Sequence, residues 1–361
     1  MLWVTVHRND SFCDFVILSP GSVVMECAGT KLQETENRLQ VNAETFETLA
    51  GYWREQRSNL NWQCLFVIPA WLTVWWNVFR PESEQCLLSV SEGSELIGIA
   101  PLMVNGRTAQ LMGSPDVCDC LDVIAAPGKE QLFCRALLDH LRAQGISTLE
   151  LGPVRPDSTV YTHVIGAAKT FSRAVICTEE DVVLQLSLPA TWDAFLNMLA
   201  AKERHEIRRK LRRLEEAGRV DYHAAEDITA VRSELDTFLS LFRQNRADKA
   251  AFMTGKMEYF FRSIAEELAG ADILKLFFLT LNNAPAAAVM CFDYQETRYL
   301  YNNGYNERFS QFSVGLLSKV LNIKESIERR SRKYDFLKGA EVYKHRLGGE
   351  PIPLYRCRIT L

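Results

Sequence analysis

Two stretches of similar pattern determine the fold that this sequence predicts: CLLSVSEGSELIGIAPLMV at residues 86–104 and LKLFFLTLNNAPAAAVMCF at residues 274–292. Each contains two apolar runs of strand length, which are separated by turn residues: Gly93 in the first stretch, Asn282 and Asn283 in the second. Apolar runs that are joined through Gly or Asn are typical of a β-hairpin. The sequence therefore predicts two hairpins of the same kind in one chain.

The segments around the two hairpins also match in order. Each hairpin is followed by a further strand, a glycine-bearing loop, a helix and a closing strand, and the closing strands place Glu150 against Asp335, 185 residues later. Before the hairpins, residues 39–49 resemble residues 184–196. This match pairs Thr45 with Thr191, and the offset between them is only 146 residues. Landmarks that recur in a fixed order indicate a duplicated unit. The change of offset predicts an insertion in the second half.

The predicted fold class is α/β (α+β), with two tandem domains, each a mixed, mainly antiparallel sheet flanked by helices. We expect an N-terminal segment of uncertain structure at 1–38, an N-terminal domain at 39–180 and a C-terminal domain at 181–361. The C-terminal domain would carry a basic helical insertion at 201–218.

Composition excludes several classes of protein. The chain has 361 residues, with 41 Lys and Arg against 45 Asp and Glu, whereas a general DNA or RNA binder is usually basic as a whole. Its ten cysteines and six histidines show no metal-ligand spacing, so we predict no metal and expect reduced, mostly buried thiols. The apolar stretch 65–79 is shorter than the ~18 residues of a membrane span. We therefore predict a cytoplasmic protein with no membrane span.

The stretch AKERHEIRRKLRRLEEAG, residues 201–218, carries seven Lys and Arg residues. Ile207, Leu211 and Leu214 form an apolar stripe at helical spacing, which predicts an amphipathic helix. One interpretation is a solvated face that has no specific role. The other is that the helix binds phosphate and that its arginines line a groove between the domains. The candidate phosphate-binding residues are Lys202, Arg204, Arg208 and Arg212.

The stretch YDFLKGAEVYKHRLG, residues 334–348, resembles the closing motif of a GNAT-related acyltransferase family. This family includes the CelD proteins linked to cellulose biosynthesis and is akin to the Fem-type aminoacyl transferases. The resemblance is strongest over residues 182–347, and in the first half it includes FVIPAWLTVWW at 66–76 and GSPDVCDCLD at 113–122. It implies two GNAT-like domains with a groove between them.

The resemblance also implies an activity. We expect an acyltransferase that uses acetyl-CoA as donor and acetylates an amine or hydroxyl of a sugar or an envelope or exopolysaccharide precursor. The chain departs from the family where Val314 replaces a proline, and it lacks the R/Q-x-x-G-x-G/A phosphate loop of simpler acetyltransferases. Two alternatives stay open: a Fem-type transferase whose partner is aminoacyl-tRNA, and a catalytically degenerate binding module in polysaccharide assembly. No DNA partner is expected.

Acyl transfer from a thioester needs a base for the nucleophile, donors for the oxyanion and a proton for the leaving thiolate. Asp335 is a candidate base, although it could equally be a structural carboxylate that pairs with a cation. Asp119 is a candidate acceptor-site carboxylate, with turn formation as the alternative. Tyr343 could protonate the thiolate, and Lys344 could bind phosphate as a point charge. The remaining candidates for binding the cofactor are Asn303, Gly304, Ser313, Val314 and Gly315.

Overall fold

The computed structural model describes residues 39–55, 59–170, 173–245 and 247–361. The predicted N-terminal segment, 1–38, lies outside the described residues. The first half contains, in order, β1 (Leu39–Ala43), α1 (Phe46–Glu55), α2 (Pro69–Phe79), β2 (Glu84–Glu92), β3 (Glu95–Asn105), β4 (Thr108–Leu111), β5 (Ile124–Ala125), α3 (Glu130–Ala143), β6 (Thr148–Val154) and α4 (Ile165–Thr170).

The second half repeats much of this order. It contains β7 (Val175–Ser187), α5 (Trp192–Met198), α6 (Ala201–Glu216), β8 (Val220–Ala225), α7 (Ile228–Asn245), α8 (Ala247–Phe252), α9 (Gly255–Gly270), β9 (Leu274–Leu281), β10 (Ala284–Tyr294), β11 (Thr297–Tyr305), α10 (Val314–Glu328), β12 (Lys333–Lys338), α11 (Val342–Arg346) and β13 (Glu350–Thr360). Both predicted hairpins are present, as β2–β3 and β9–β10.

All of these strands belong to one thirteen-stranded sheet in the order β1-β2-β3-β4-β6-β13-β7-β12-β11-β10-β9-β8, with β5 paired to β3. The sheet is mainly antiparallel. Two parallel pairs break this pattern, β4 with β6 in the first half and β11 with β12 in the second. The mixed, mainly antiparallel sheet with flanking helices confirms the predicted fold class.

The topology corrects one landmark of the repeat. The outer strand that pairs with the first hairpin is β1, and the outer strand that pairs with the second is β8. The counterpart of Leu39–Ala43 is therefore Val220–Ala225, not the strand that ends at Ser187. Both threonines used in the match do accept hydrogen bonds at helix starts, Thr45 from Thr48 N–H and Thr191 from Ala194 N–H. A capping threonine marks the start of a helix locally, so it does not show that the strands before two such helices are equivalent.

The two halves exchange their last strands. β7 follows the first half in the chain but pairs with β12, while β13 follows the second half and pairs with β6 as well as β7. β6 pairs with β13 only from Tyr355 onward, and Pro351 and Pro353 lie before this point. Because proline has no N–H to donate, prolines suit the part of a strand that lacks a neighbour on one side. The sheet therefore opens between β6 and the start of β13.

β7 and β13 also carry a disulfide, between Cys177 and Cys357. The expectation that the thiols are reduced is wrong for this pair, because the two cysteines lie directly opposite each other in the register. The other six described cysteines are free, and four of them are buried. The proposed domain boundary after residue 180 falls inside β7, and it stays a sequence-based proposal.

One aromatic cluster joins the halves. The Trp71 ring on α2 makes edge contacts with Phe260 on α9, Phe292 on β10 and Tyr301 on β11. Trp71 is completely buried, and large aromatic rings contribute much of the energy of a core. The apolar stretch 65–79 therefore packs into the interior. Among the described residues no helix is long and apolar enough to cross a membrane.

Candidate active site

The second half has a cleft at the start of α10. β11 and β12 are paired only from Thr297 to Tyr299 and from Lys333 to Asp335. Beyond these residues their pairing ends, and a cavity of about 220 Å³ lies near the end of β11. The cavity is lined by Tyr305, Ser310, Ser313, Val314, Gly315, Leu316, Lys319 and Tyr343. Ser313, Val314 and Gly315 were predicted at this position, and the structure brings them together with Tyr343.

The first turn of α10 presents unpaired amides. Ser313 precedes the helix in the left-handed conformation, with φ of 58°, and its carbonyl accepts from the N–H groups of Leu316 and Leu317. In the described chain no acceptor takes the N–H groups of Val314 and Gly315. Free amides at a helix start favour anions, because they donate hydrogen bonds and carry the positive end of the helix dipole. The role of these residues in binding a phosphate group stays a prediction.

The two predicted glycines differ in what surrounds them. A Cβ on Gly304 would lie 2.4 Å from the backbone of Leu241 and Phe242, so α7 crosses β11 directly above it. A Cβ on Gly315 would lie 2.7 Å from the Tyr305 ring. Gly315 lines the cavity, whereas Gly304 is buried under α7. The packing therefore argues against a cofactor contact at Gly304, because its missing side chain makes room for a helix. The carbonyl of Asn303 is bonded to Lys249, so its backbone acceptor is occupied.

Lys344 is a structural lysine. Its side chain is 3% exposed, and its ammonium group donates to the carbonyls of Leu337, Lys338 and Gly339 and pairs with Glu341. These contacts leave no N–H for a ligand, because an ammonium group has three donors. Lys344 therefore holds the turn that follows β12, and these contacts argue against the predicted phosphate-binding role.

Asp335 is equally committed to contacts within the protein. It is completely buried, and its Oδ2 accepts from the Arg155 guanidinium at 2.9 Å and from the Gln185 amide at 3.0 Å. Its Oδ1 accepts from Leu337 N–H at 2.8 Å. These three hydrogen bonds and the ion pair with Arg155 hold the carboxylate in place and leave it buried away from a substrate. These contacts favour the structural alternative for Asp335 over the role of a base.

Asp119 lies where the halves meet. The loop after β4 carries it to the end of β12, where its Oδ2 is 3.4 Å from the Lys338 N–H. Burial raises the pKa of Asp119 from 3.8 to about 6, and the nearby charge of Lys338 acts in the opposite direction. The same loop accepts a hydrogen bond at the Val117 carbonyl from the Tyr301 hydroxyl, 3.1 Å away. A half-buried carboxylate with this pKa is mostly ionised at neutral pH and can accept a proton.

Tyr301 owes its position to an irregularity in β11. In the register with β10, Asn302 is paired with Met290 and Leu300 with Cys291, so one extra residue bulges between them. Bulges redirect side chains next to functional sites. Here the bulge places the Tyr301 hydroxyl against the loop that carries Asp119.

The basic helix α6 presents a different flank from the one that we expected. A cavity of about 210 Å³ adjoins the first and shares Leu316 and Tyr343 with it; its other lining residues are Lys202, Glu203, Glu206, Ile207, Lys210, Arg346 and Leu347. Lys202 is among these lining residues, whereas Arg204, Arg208 and Arg212 are not. Arg212 pairs with Glu216 and is 72% exposed. The buried stripe has a charged row on each side, and the row with Lys202, Glu206 and Lys210 faces the cavity.

Sequence reasoning missed two residues. Lys319 lies one turn inside α10, is 6% exposed and lines the first cavity, with its ammonium group 4.8 Å from the centroid of the Tyr343 ring. A signal existed, since Lys319 is the single charged residue between Val314 and Ile323. Arg155 was also missed, and no local pattern marks it, because its partner Asp335 is 180 residues away.

A third cavity, of about 350 Å³, lies where the sheet opens between the halves. Its polar lining includes Gln63, Asp122, Arg155, Asp157, Ser158, Gln185, Thr297 and Lys333. Cys120, the residue after Asp119, also lines it. Asp122 accepts from the amides of Val123, Thr159 and Val160 and so fixes the end of the loop.

The second half of the chain is similar to a known domain family. Residues 201–345 match the model of the acetyltransferase (GNAT) domain. The crystal structure of FemX is similar to this chain, with a TM-score of 0.59 at 12% identity, over 88% of this chain and 96% of FemX. A conserved protein of unknown function from Bacteroides thetaiotaomicron has a TM-score of 0.55 at 10% identity, over 90% and 100%. No curated protein sequence matches the chain. The likeness to CelD proteins stays a prediction.

Proposed function

We propose that this protein is an acyltransferase that takes an acetyl group from acetyl-CoA and passes it to an amine or hydroxyl of a saccharide. The observation that carries the proposal is the cavity at the start of α10, which combines unpaired helix amides with the open end of the β11–β12 pair. The amides of Val314 and Gly315 suit the pyrophosphate of the donor. The open strand end leaves room for its thioester arm.

The chemistry that we propose uses one carboxylate and one phenol. Asp119 accepts the proton of the attacking amine or hydroxyl, since its raised pKa of about 6 makes it a better base than an ordinary aspartate. Tyr343 donates a proton to the leaving thiolate. Burial raises the pKa of its hydroxyl, so the phenol still carries its proton when the thiolate forms. Asp335 and Lys344 hold the turn between these groups.

The acceptor is proposed to bind in the cavity between the halves. Its lining of amide, hydroxyl and charged side chains suits a ligand with many hydroxyl groups, because each group can exchange hydrogen bonds with a fixed partner. Cys120, the residue after Asp119, is part of this lining, which supports an acceptor site next to the loop that carries Asp119. The saccharide class itself is supported by the sequence resemblance alone.

The test is a transfer assay with the full chain. Purified protein is incubated with acetyl-CoA and a panel of amino sugars and polysaccharide precursors, while free thiol is followed. We expect thiol release above hydrolysis with at least one acceptor, and a loss of this release in Tyr343→Phe, which keeps the ring and removes the hydroxyl. Calorimetric titration with CoA is the companion measurement. Absence of both CoA binding and acceptor-dependent release would leave the binding-module alternative.

A second candidate function follows from the net positive charge of α6. If aminoacyl-tRNA is the donor, phosphate contacts should make its binding strongly dependent on salt. Filter binding at low and high salt separates the two proposals. A CoA enzyme should show no salt-sensitive affinity for tRNA. A tRNA-dependent enzyme should bind tRNA at low salt, bind it much more weakly at high salt, and not bind CoA.

A further inference from the structure

The amine of Lys319 lies in an unusual environment for a lysine. It is almost fully buried, it lines the cavity at the start of α10, and among the described residues its one hydrogen-bond acceptor is the Gly315 carbonyl, 2.7 Å away in its own helix. Among the described residues no carboxylate forms an ion pair with it. Glu341, the acidic residue whose charge acts on it, pairs with Lys344 instead.

The charged groups that face Lys319 are mainly positive. Lys249 on α8 and Lys344 on α11 are both close enough to disfavour a further charge, and Glu341 is the one group that favours it. Tyr343 contributes the face of its ring. Burial, followed by the charge of Lys249, lowers the pKa of Lys319 from 10.5 to about 7. Desolvation and a second cation are the two conditions that turn a lysine into a nucleophile.

Lys344 provides a natural comparison inside the same molecule. It is as deeply buried as Lys319, but its donors are taken by three carbonyls and a carboxylate, and it lines neither of the two cavities beside α10. Lys319 has one carbonyl partner and a cavity in front of it. Burial is therefore shared by the two lysines, and access and lack of a counter-charge distinguish them.

We propose that Lys319 is a nucleophilic lysine that becomes acylated by activated acyl donors, acyl thioesters or acyl phosphates, that enter the cavity at the start of α10. The thioester part rests on the proposed function. The lysine nitrogen attacks the acyl carbonyl, the carbon–sulfur bond of a thioester or the carbon–oxygen bond of an acyl phosphate breaks, and one proton of the amine passes to the leaving group. An amide and a free thiol or phosphate result.

The product has a consequence for the cavity. An amide carries no charge and is larger than the amine, so acylation both removes the buried cation beside the α10 amides and fills part of a space of about 220 Å³. An acylated protein should therefore bind anionic donors more weakly than the unmodified protein. Lys319 would then limit the activity of the cleft after exposure to excess donor.

The experiment exposes the full chain to isotope-labelled acetyl phosphate in one arm and labelled acetyl-CoA in the other, and measures label at each lysine by peptide mass spectrometry. We expect initial labelling of Lys319 at least tenfold faster than that of Lys344. The rate should rise about tenfold from pH 6 to pH 8, because the neutral fraction of an amine with a pKa near 7 rises by that factor. Lys319→Arg should lose the label at this peptide.

The outcomes are distinct. Equal or slower labelling of Lys319 than of Lys344 in both arms overturns the inference, and this comparison needs no variant to fold. Labelling of Lys319 by acetyl phosphate with none from acetyl-CoA supports the nucleophilic lysine and counts against the proposed donor. A Lys319 rate that does not change between pH 6 and pH 8 also overturns it.

Discussion

The two parallel strand pairs of this sheet, β4–β6 and β11–β12, occupy equivalent positions in the two halves. They differ in which part of the chain lies against their open ends. In the first half, the N–H of Leu121 in the loop after β4 donates to the Pro153 carbonyl on β6 at 2.7 Å, so the loop closes over its own strand pair. In the second half, the carboxylate at the end of β12 is Asp119, which comes from the first half and lies 3.4 Å from Lys338 N–H. The first half is closed by its own chain, and the second is completed by its neighbour.

The lysines near the equivalent helices α3 and α10 also differ, because in the described part of the chain one has a carboxylate partner and the other does not. Lys129, at the start of α3, pairs with Glu92 at 2.6 Å, so the charge there is balanced. Lys319 in α10 has no such partner in the described chain, and unpaired amides lie one turn before it. The duplicated units therefore differ in two features: the first half contributes a carboxylate to the second, and the cavity of the second half contains a lysine with no ion pair among the described residues.

Asp119→Asn should have the largest effect, because it removes the group that the first half contributes to the second. We expect kcat/KM for acetyl transfer to fall by about 10²–10⁴-fold, the range for loss of a general base. The wild-type rate should rise with pH through about 6, as Asp119 loses its proton, and the variant should lack this rise. Asp116→Asn, an exposed change in the same loop, is the control.

The stability of the fold should also depend on the protonation of Asp119. It should fall as pH rises, whereas the transfer rate should rise. The pKa of Asp119 is higher in the folded protein than its ordinary value of 3.8, so the folded state binds this proton more tightly than the unfolded state. Its contribution is fully present below pH 3.8 and is lost as pH rises through about 6. Urea unfolding should show this loss in the wild type and not in Asp119→Asn. The same pH dependence in both proteins would contradict the assignment.

Arg155→Met tests the ion pair that joins the halves. It leaves Asp335 buried without its cation, and breaking a buried pair costs about 3–5 kcal/mol of unfolding free energy. The matched control is Arg358→Met, whose partner Glu150 is 34% exposed, and exposed pairs contribute about 0–1 kcal/mol. Urea denaturation measures both. If the two variants lost equal stability, Asp335 would not depend on Arg155.

Gly304→Ala tests the packing of α7 on β11. The added carbon would lie 2.4 Å from backbone atoms of Leu241 and Phe242, so the helix must shift. Overpacking of this kind costs about 1–3 kcal/mol. Gly166→Ala in α4, where a Cβ meets nothing within 4 Å, should be neutral or slightly stabilising. A neutral Gly304→Ala in a thermal unfolding scan would return this glycine to the list of candidate ligand residues.

The smallest effect is expected on α6. Lys210→Met changes the flank that lines the adjoining cavity. It should weaken CoA binding by about three- to fivefold, because an exposed charge contact contributes about 0.7–1 kcal/mol. Arg208→Met, on the outer flank, should change the affinity less than twofold. Calorimetric titration compares the two. A stronger effect of Arg208→Met would reverse the assignment of the flanks.

Local patterns predicted much of the fold. The hairpins, the helix at 201–216 and the helix that begins after Ser313 were all expected near their observed positions. The cavity residues Ser313, Val314, Gly315 and Tyr343 were also predicted, because the closing motif and the preceding turn are local features. The basic row that faces a cavity was not predictable, since either flank of an amphipathic helix satisfies the same periodicity.

The sequence by itself determined the elements of this protein, because hydrogen bonding in turns and the spacing of apolar side chains act over a few residues. Only the tertiary structure decided the chemical state of its charged groups. Asp335 became structural through Arg155, Lys344 through three carbonyls, and Lys319 became a buried amine without a counter-charge. Charge depends on burial and on neighbours that the chain brings together from distant positions, and no short stretch of sequence contains that information.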